Sequence, residues 1–205
     1  MAPTVYLESF QALSHIVASL GWDIQHFNIE TAFLHGILPE NEFMYMEQLP
    51  GFETPGKEDW VMKLMKSIYG MKQASRVWNC TFDKVVKAWG FERLPSEWCI
   101  YRQQSPTGTI IFAVHVDNII SVGSSHDENE CFKLRLKEKW DISNLGHVKF
   151  TLGIAVSHNL EASTISISQT ALIDCIGDQF NQNDAHTSDV PMCYTAAGIF
   201  LAASG

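Results

Sequence analysis

A chain of 205 residues with 46% apolar and 18% charged side chains has the balance of a folded protein, which excludes a disordered or low-complexity chain. It is long enough to bury roughly 70% of its unfolded surface. The net charge of −9 argues against nucleic-acid binding by the chain as a whole, and no apolar run approaches the ~18 residues of a membrane span.

The first ten residues, MAPTVYLESF, lack the basic and apolar regions of a secretory signal, so the expected location is intracellular, cytoplasmic or nuclear. Five cysteines (Cys80, Cys99, Cys131, Cys175 and Cys193) are odd in number and form no CxxC pair. That pattern supports neither a disulfide framework nor a zinc site, and free core thiols are expected.

Glu8 to Leu20 predicts an amphipathic helix, with Phe10, Leu13, Val17 and Leu20 on one stripe and Gly21 as its stop. Trp22 to Ile29 alternates as a strand does. Thr31 to Leu38 is a short helical turn or an irregular segment, stopped by Gly36 and Pro39. Phe43–Leu49 and Trp60–Ile68 predict two strands, separated by a loop rich in Pro and Gly. Gln73 to Trp89 is the clearest helix, with Trp78, Phe82, Val85 and Trp89 on one face and Gly90 beyond its end.

Trp98–Gln103 predicts a strand. A hairpin then spans Ile110–Val122, its apolar arms flanking the polar centre His115-Val116-Asp117-Asn118. Asp117 falls on a tight turn, a geometry that Asp tolerates in any ordinary β-turn. Ser125 caps a helix reaching Trp140, with acids in its first turn and lysines in its last. Val148–Val156 and Thr164–Ser168 predict another hairpin, and Gln169–Phe180 a last helix. Asn181–Asp189 is loop-like. The order is that of an α+β protein, an antiparallel sheet with helices on one face.

Charge is unevenly spread. Residues 1–56 contain seven acids and no Lys or Arg, whereas residues 57–93 contain eight bases against four acids. The basic segment is either a polyanion-facing patch or a solvated helix face.

Five stretches, FNIETAFLHG (27–36), MYMEQLPGFE (44–53), VMKLMKSIYGMKQASRVW (61–78), FAVHVDNIISVG (112–123) and LGHVKFTLGI (145–154), together resemble the reverse transcriptase domain of copia-type retrotransposons. The resemblance runs from about Ala2 to Met192. It is densest at SIYGMKQASRVW, close to the family's S-L-Y-G-L-K-Q-A-P-R-A-W. It implies a polymerase palm of the split βαβ kind plus part of the fingers over residues 1–192, with a C-terminal tail over 193–205. It also implies a fragment truncated at both ends: the family's basic fingers segment before this region, and its ribonuclease H region after it, have no counterpart here.

The chemistry implied is RNA-directed DNA synthesis on an RNA/DNA template-primer, with two Mg²⁺ ions about 4 Å apart held by carboxylates. Carried over residue by residue, the first metal-binding Asp falls on Asn28 and the Y-V-D-D box on His115-Val116-Asp117-Asn118. Asp117 alone keeps a carboxylate, so the resemblance leaves Mg²⁺ binding weak or lost and polymerisation abolished or severely impaired. Phe33 resembles the ring that gates against a ribose 2′-OH, or is plain core packing. Lys72 and Gln73 resemble the nucleotide-lining segment. Gly70 and Arg76 resemble nucleic-acid contacts, as does Gly153 within the primer-gripping hairpin 145–154. Glu30 stands where the family usually has Lys, and His115 replaces the box Tyr. The alternatives are a repurposed, non-catalytic module that binds nucleic acid or an unknown protein partner, and a retrotransposon relic without function.

Overall fold

The computed structural model of the chain describes residues 4–159, 162 and 164–182. They belong to two compact units, Met1–Ile167 and Ser168–Gly205. The expected boundary at 192/193, the tail beyond it, Cys193 and most of the Asn181–Asp189 loop lie outside the described residues.

In chain order the first unit begins with α1 (Leu7–Leu20), β1 (Asp23–Ile29), a 3₁₀ turn (Ala32–His35), β2 (Tyr45–Glu47), β3 (Val61–Lys63) and α2 (Ala74–Ala88). It continues with β4 (Glu92–Arg93), β5 (Ile100–Gln104), β6 (Thr109–His115), β7 (Asn118–Gly123) and α3 (His126–Lys139). After these come β8 (Ile142–Gly146), β9 (Phe150–Thr151), β10 (Ile154–Asn159) and β11 (Thr164–Ser168). The second unit holds α4 (Thr170–Gln179). The fold is thus α+β with antiparallel sheets. Among the described residues no helix is long and apolar enough to cross a membrane.

A six-stranded sheet in the order β4-β5-β6-β7-β1-β8 forms the centre. Alternate residues of its strands feed two separate cores, as the period-2 pleat requires. Phe27, Phe112, Val114 and Ile119 join Trp78, Phe82 and Val86 of α2 and Phe132 and Leu136 of α3. Ile24, Ala113, Ile120 and Val122 join Phe10, Leu13 and Val17 of α1. The expected sheet with helices on one face is therefore corrected. Two helices cover one face and α1 covers the other, because the central strands are apolar on both sides.

Other differences have local causes. Leu20, expected on the buried stripe of α1, is 61% exposed, since it lies in the last turn just before the left-handed Gly21 reverses the chain. Strands β4 and β8 are additional to the expected elements, and the single strand expected over Val148–Val156 is broken by a turn at Leu152-Gly153 into β9 and β10, which pair with each other. β8 reads ISNLG, whose polar residues suit an edge strand paired on one side, to β1, while Ile142 packs against the core. The expected core thiols are also corrected: Cys99 is buried, whereas Cys80, Cys131 and Cys175 are exposed.

One polar network fastens α3 to the sheet. Ser125 Oγ accepts the Glu128 N–H at 3.3 Å and caps the helix. One turn on, the fully buried Asn129 donates at 3.0 Å to both the backbone oxygen and the carboxylate of Asp23, and accepts from Ser121 Oγ at 2.6 Å. Burial opposes ionisation of Asp23. Hydrogen bonds from Asn129, Gln25 and His126, with the charge of His126, outweigh it and hold the carboxyl below its usual range. Replacing Asn129 by Leu leaves the buried Ser121 Oγ unpaired, at about 1–3 kcal/mol, and removes two hydrogen bonds from Asp23, whose carboxylate keeps Gln25 and His126. Urea unfolding should show Asn129→Leu to be less stable by about 2–4 kcal/mol, and a loss under about 1 kcal/mol would contradict this network.

Candidate functional site

The site is built where β1 meets the β6–β7 hairpin. Antiparallel register sets Asn28 opposite Asn118, and hairpin register sets His115 opposite the same Asn118. The turn itself is Val116-Asp117. Two hydrogen bonds hold it from outside the hairpin: Ile29 N–H donates to Asp117 O at 2.8 Å, and the indole Nε1–H of buried Trp78 donates to Val116 O at 2.7 Å. Val116 takes φ +63°, a left-handed conformation that is costly for a β-branched residue. The Trp78 bond is one of the contacts that secure it.

The side chains at this junction form a continuous chain of amides. Asn118 Oδ1 accepts from His26 Nε2–H at 3.1 Å and from Asn28 Nδ2 at 3.4 Å. Asn118 Nδ2 in turn donates to Asp117 Oδ1 at 3.1 Å. The three carried-over metal positions are therefore brought together, and they bond to one another. Asp117 is the only anion of the three. Among the described residues no group of three or more His, Cys, Asp or Glu side chains is placed to hold a metal ion. Beside the turn, His115 Nδ1 is buried and has no hydrogen-bond partner among the described residues.

Burial lowers the pKa of His26 from its ordinary value, against the Asn118 hydrogen bond, which raises it. The fold thus favours the neutral ring, and around pH 6 the unfolded chain binds more protons at this residue than the native one. The His26 contribution is fully present above the unfolded value near 6.5 and is lost as pH falls from there through the lower native value. Replacing His26 by Asn should flatten that part of the stability–pH curve. An unchanged slope between pH 7 and pH 5 would show that the ring is not held neutral.

The remaining carried-over residues lie on the 3₁₀ turn, at the start of α2 and in the small sheet β11-β10-β9. Phe33 is half-buried and meets Tyr69 edge-on at 5.4 Å between ring centroids. The 3₁₀ turn sits tightly on α2. A Cβ on Gly36 would collide with Ser67 Oγ and stand 3.1 Å from the Trp78 backbone nitrogen. Gly70 turns the chain into α2 with φ +87°. Gln73 Nε2 donates to Met44 Sδ at 3.4 Å. Arg76 pairs with Glu42, and Lys87 and Arg93 both pair with Asp83, each at 3.0 Å. Lys72 is exposed and, like Lys66 and Lys84, forms no ion pair among the described residues. Gly153, exposed, follows Leu152 in the β9–β10 turn, and both take positive φ.

Two members of the site went unrecognised in the sequence. His26 sits two residues before Asn28 and so shares its face of β1, a signal that strict alternation carries. Trp78 was legible only as part of an apolar stripe. Its indole N–H, a donor that must find a partner when buried, was the available clue.

Residues 1–194 match the family model described as reverse transcriptase (RNA-dependent DNA polymerase). The chain is 32% identical over 192 residues to the retrovirus-related Pol polyprotein from transposon TNT 1-94 of Nicotiana tabacum, covering 93% of this chain and 14% of that protein. It is 28% identical over 166 residues to a putative transposon Ty5-1 protein of Saccharomyces cerevisiae, covering 81% of this chain and 53% of that one. A Pol polyprotein from transposon RE2 of Arabidopsis thaliana is 30% identical over 123 residues, 60% of this chain and 8% of that protein. The chain thus spans about half, or far less, of the lengths of these relatives. No solved structure matches it significantly.

Proposed function

This chain belongs to the reverse transcriptase family, in the branch of copia-type retrotransposon Pol polyproteins, and we propose that it is a palm with part of the fingers whose catalytic centre has been neutralised. The observation that carries this is the amide chain at the β1–hairpin junction. Asn28 and Asn118 stand where the resemblance implies metal-binding carboxylates, and they are engaged with His26, Asp117 and each other.

Those donors do not fit a pair of Mg²⁺ ions. Mg²⁺ takes hard oxygen ligands, and two divalent ions held close together need anionic ones to offset their repulsion. Here a single carboxylate is present. Asn118 Oδ1 already accepts two hydrogen bonds, and Asp117 Oδ1 accepts one. The residues that line the implied nucleotide and template path keep their types. In this reading Phe33, Gly70, Lys72 and Gln73 face the nucleotide and template, and Gly153 the primer. Arg76 reaches a phosphate either with the guanidinium N–H groups that Glu42 does not engage or by exchanging that partner.

The test is primer extension on an RNA template by the purified chain, with Mg²⁺ and then Mn²⁺, beside the variant Asn28→Asp/His115→Tyr/Asn118→Asp. The natural chain is expected to stay at the no-enzyme level. Extension above that level by the natural chain would refute the neutralised-centre reading.

A further inference from the structure

Among the described residues the β2–β3 ribbon is a sheet of its own, and no strand pairs with the outer edge of β2. Its register pairs Tyr45 with Lys63, Met46 with Met62 and Glu47 with Val61. The Leu64 N–H donates to Met44 O at 2.8 Å, which makes Met44/Leu64 a hydrogen-bonded pair. In an antiparallel ladder such pairs alternate with non-bonded ones. Met46/Met62 is therefore bonded within the ribbon as well, and the backbone N–H and C=O groups of Tyr45 and Glu47 point outward along the free edge of β2. The corresponding edge of β3 is partly closed further along, where Leu38 N–H donates to Met65 O and Ser67 N–H to Gly36 O. Along the open edge the side chains at Phe43, Tyr45 and Leu49 are 61%, 58% and 59% exposed. An open, apolar strand edge is a template for another strand.

We propose that this edge is an interface with a second copy of the same chain, β2 pairing with β2 antiparallel about a two-fold axis through Met46. Three registers satisfy the outward backbone groups, centred on positions 45, 46 or 47. Centring on Glu47 sets like charges directly opposite each other, which is unfavourable. Centring on Tyr45 puts Phe43 opposite Glu47. Centring on Met46 places Tyr45 opposite the partner's Glu47 and Phe43 opposite the partner's Leu49, each twice by symmetry, with no like charges in register. Such self-complementarity is what an isologous contact requires. It also converts an exposed two-stranded ribbon into a four-stranded sheet, β3-β2-β2-β3, past the point where a two-stranded one is only marginally stable. So short an edge buries less than the roughly 800 Å² per partner of a standard interface, so the dimer is a weak one, dissociating in the micromolar range.

The register makes a specific covalent prediction. Met46 meets its own copy as a non-hydrogen-bonded pair, with Cα atoms about 4.5 Å apart, within the span a disulfide accepts. Met62 is a further strand away from the axis on each side. Mild oxidation of a Met46→Cys variant should give a dimer bridged through position 46, located by mass mapping so that links through the native exposed cysteines are told apart. A Met62→Cys variant should not cross-link through position 62. Sedimentation equilibrium of the natural chain should show a monomer–dimer equilibrium, and Phe43→Lys/Leu49→Lys should raise its dissociation constant by about tenfold or more. A natural chain that stays monomeric to about 100 micromolar overturns the proposal. So does a dimer that cross-links through position 62 as readily as through 46, or one that the double lysine variant leaves unchanged.

Discussion

Magnesium should raise the thermal midpoint of the Asn28→Asp/His115→Tyr/Asn118→Asp variant and leave that of the natural chain unmoved. The physical basis is charge. The natural junction presents one carboxylate, Asp117, whose Oδ1 already accepts from Asn118. The variant presents three carboxylates around the same turn. Without metal they repel: two unit charges about 4 Å apart near a protein surface interact by about 4 kcal/mol at an effective dielectric constant of 20. The metal-free variant should therefore be less stable than the natural chain by a few kcal/mol, partly relieved as one carboxyl's pKa rises. A divalent ion binding only the folded form reverses this, contributing about 2.7 kcal/mol when it is present at a hundred times its dissociation constant.

This measurement separates two questions that primer extension joins. If Mg²⁺ stabilises the variant and primer extension appears with it, the substrate path is intact and the carboxylates alone were lost. A loss of ~4 kcal/mol in metal-centred stabilisation already corresponds to roughly a thousandfold in rate. If Mg²⁺ stabilises the variant without extension, the centre is repaired and the defect lies in the path for template, primer or nucleotide. If Mg²⁺ stabilises the natural chain equally, the neutralised-centre reading is wrong.

The second large effect concerns Trp78. Its ring is buried on α2, edge-on to Trp140 at 5.4 Å between centroids and 5.7 Å from Phe82, while its indole N–H holds Val116 O. Trp78→Ala removes packing from the centre of the larger core and should cost about 3–5 kcal/mol. Trp78→Phe keeps much of the packing but leaves the carbonyl of a residue at φ +63° without its donor, and should cost about 1–3 kcal/mol. Urea unfolding followed by circular dichroism gives both numbers. Hydrogen exchange separates the causes: Trp78→Phe should speed exchange at the Ile29 amide, which bonds the same turn through Asp117 O, more than at amides of α1. Equal acceleration at both places would mean that Trp78 acts through packing alone.

Much of the fold is legible in local sequence. The 3.6-residue stripes of α1 and α2, the Ser125 cap and the short apolar arms of the β6–β7 hairpin each carry their own signal, because burial of one face and satisfaction of helix ends are decided within a few residues. The identity of the candidate site is equally local. Asn28 and the His115–Asn118 turn are found by motif, and their chemistry follows from residue type: an amide oxygen carries no charge wherever it is placed. The unequal distribution of charge is read the same way, as is the family, which needs only five stretches in order.

Other features belong to the tertiary structure alone. That helices cover both faces of the sheet depends on which residues of β1, β6 and β7 point each way, and a strand apolar on both sides gives no periodic clue to that. The exposure of Cys80 and Cys131 depends on neighbours distant in sequence. So does the neutralisation of Arg76 by Glu42, 34 residues away, which leaves less of the basic segment free than its charge count suggests. The hydrogen bond from Trp78 to Val116 and the linkage of His26 through Asn118 to Asp117 join residues 38 and more than 90 positions apart. Such partners are chosen by sheet register and helix placement. A sequence can declare that a buried indole or imidazole needs a partner, but only the folded arrangement decides which atom supplies it.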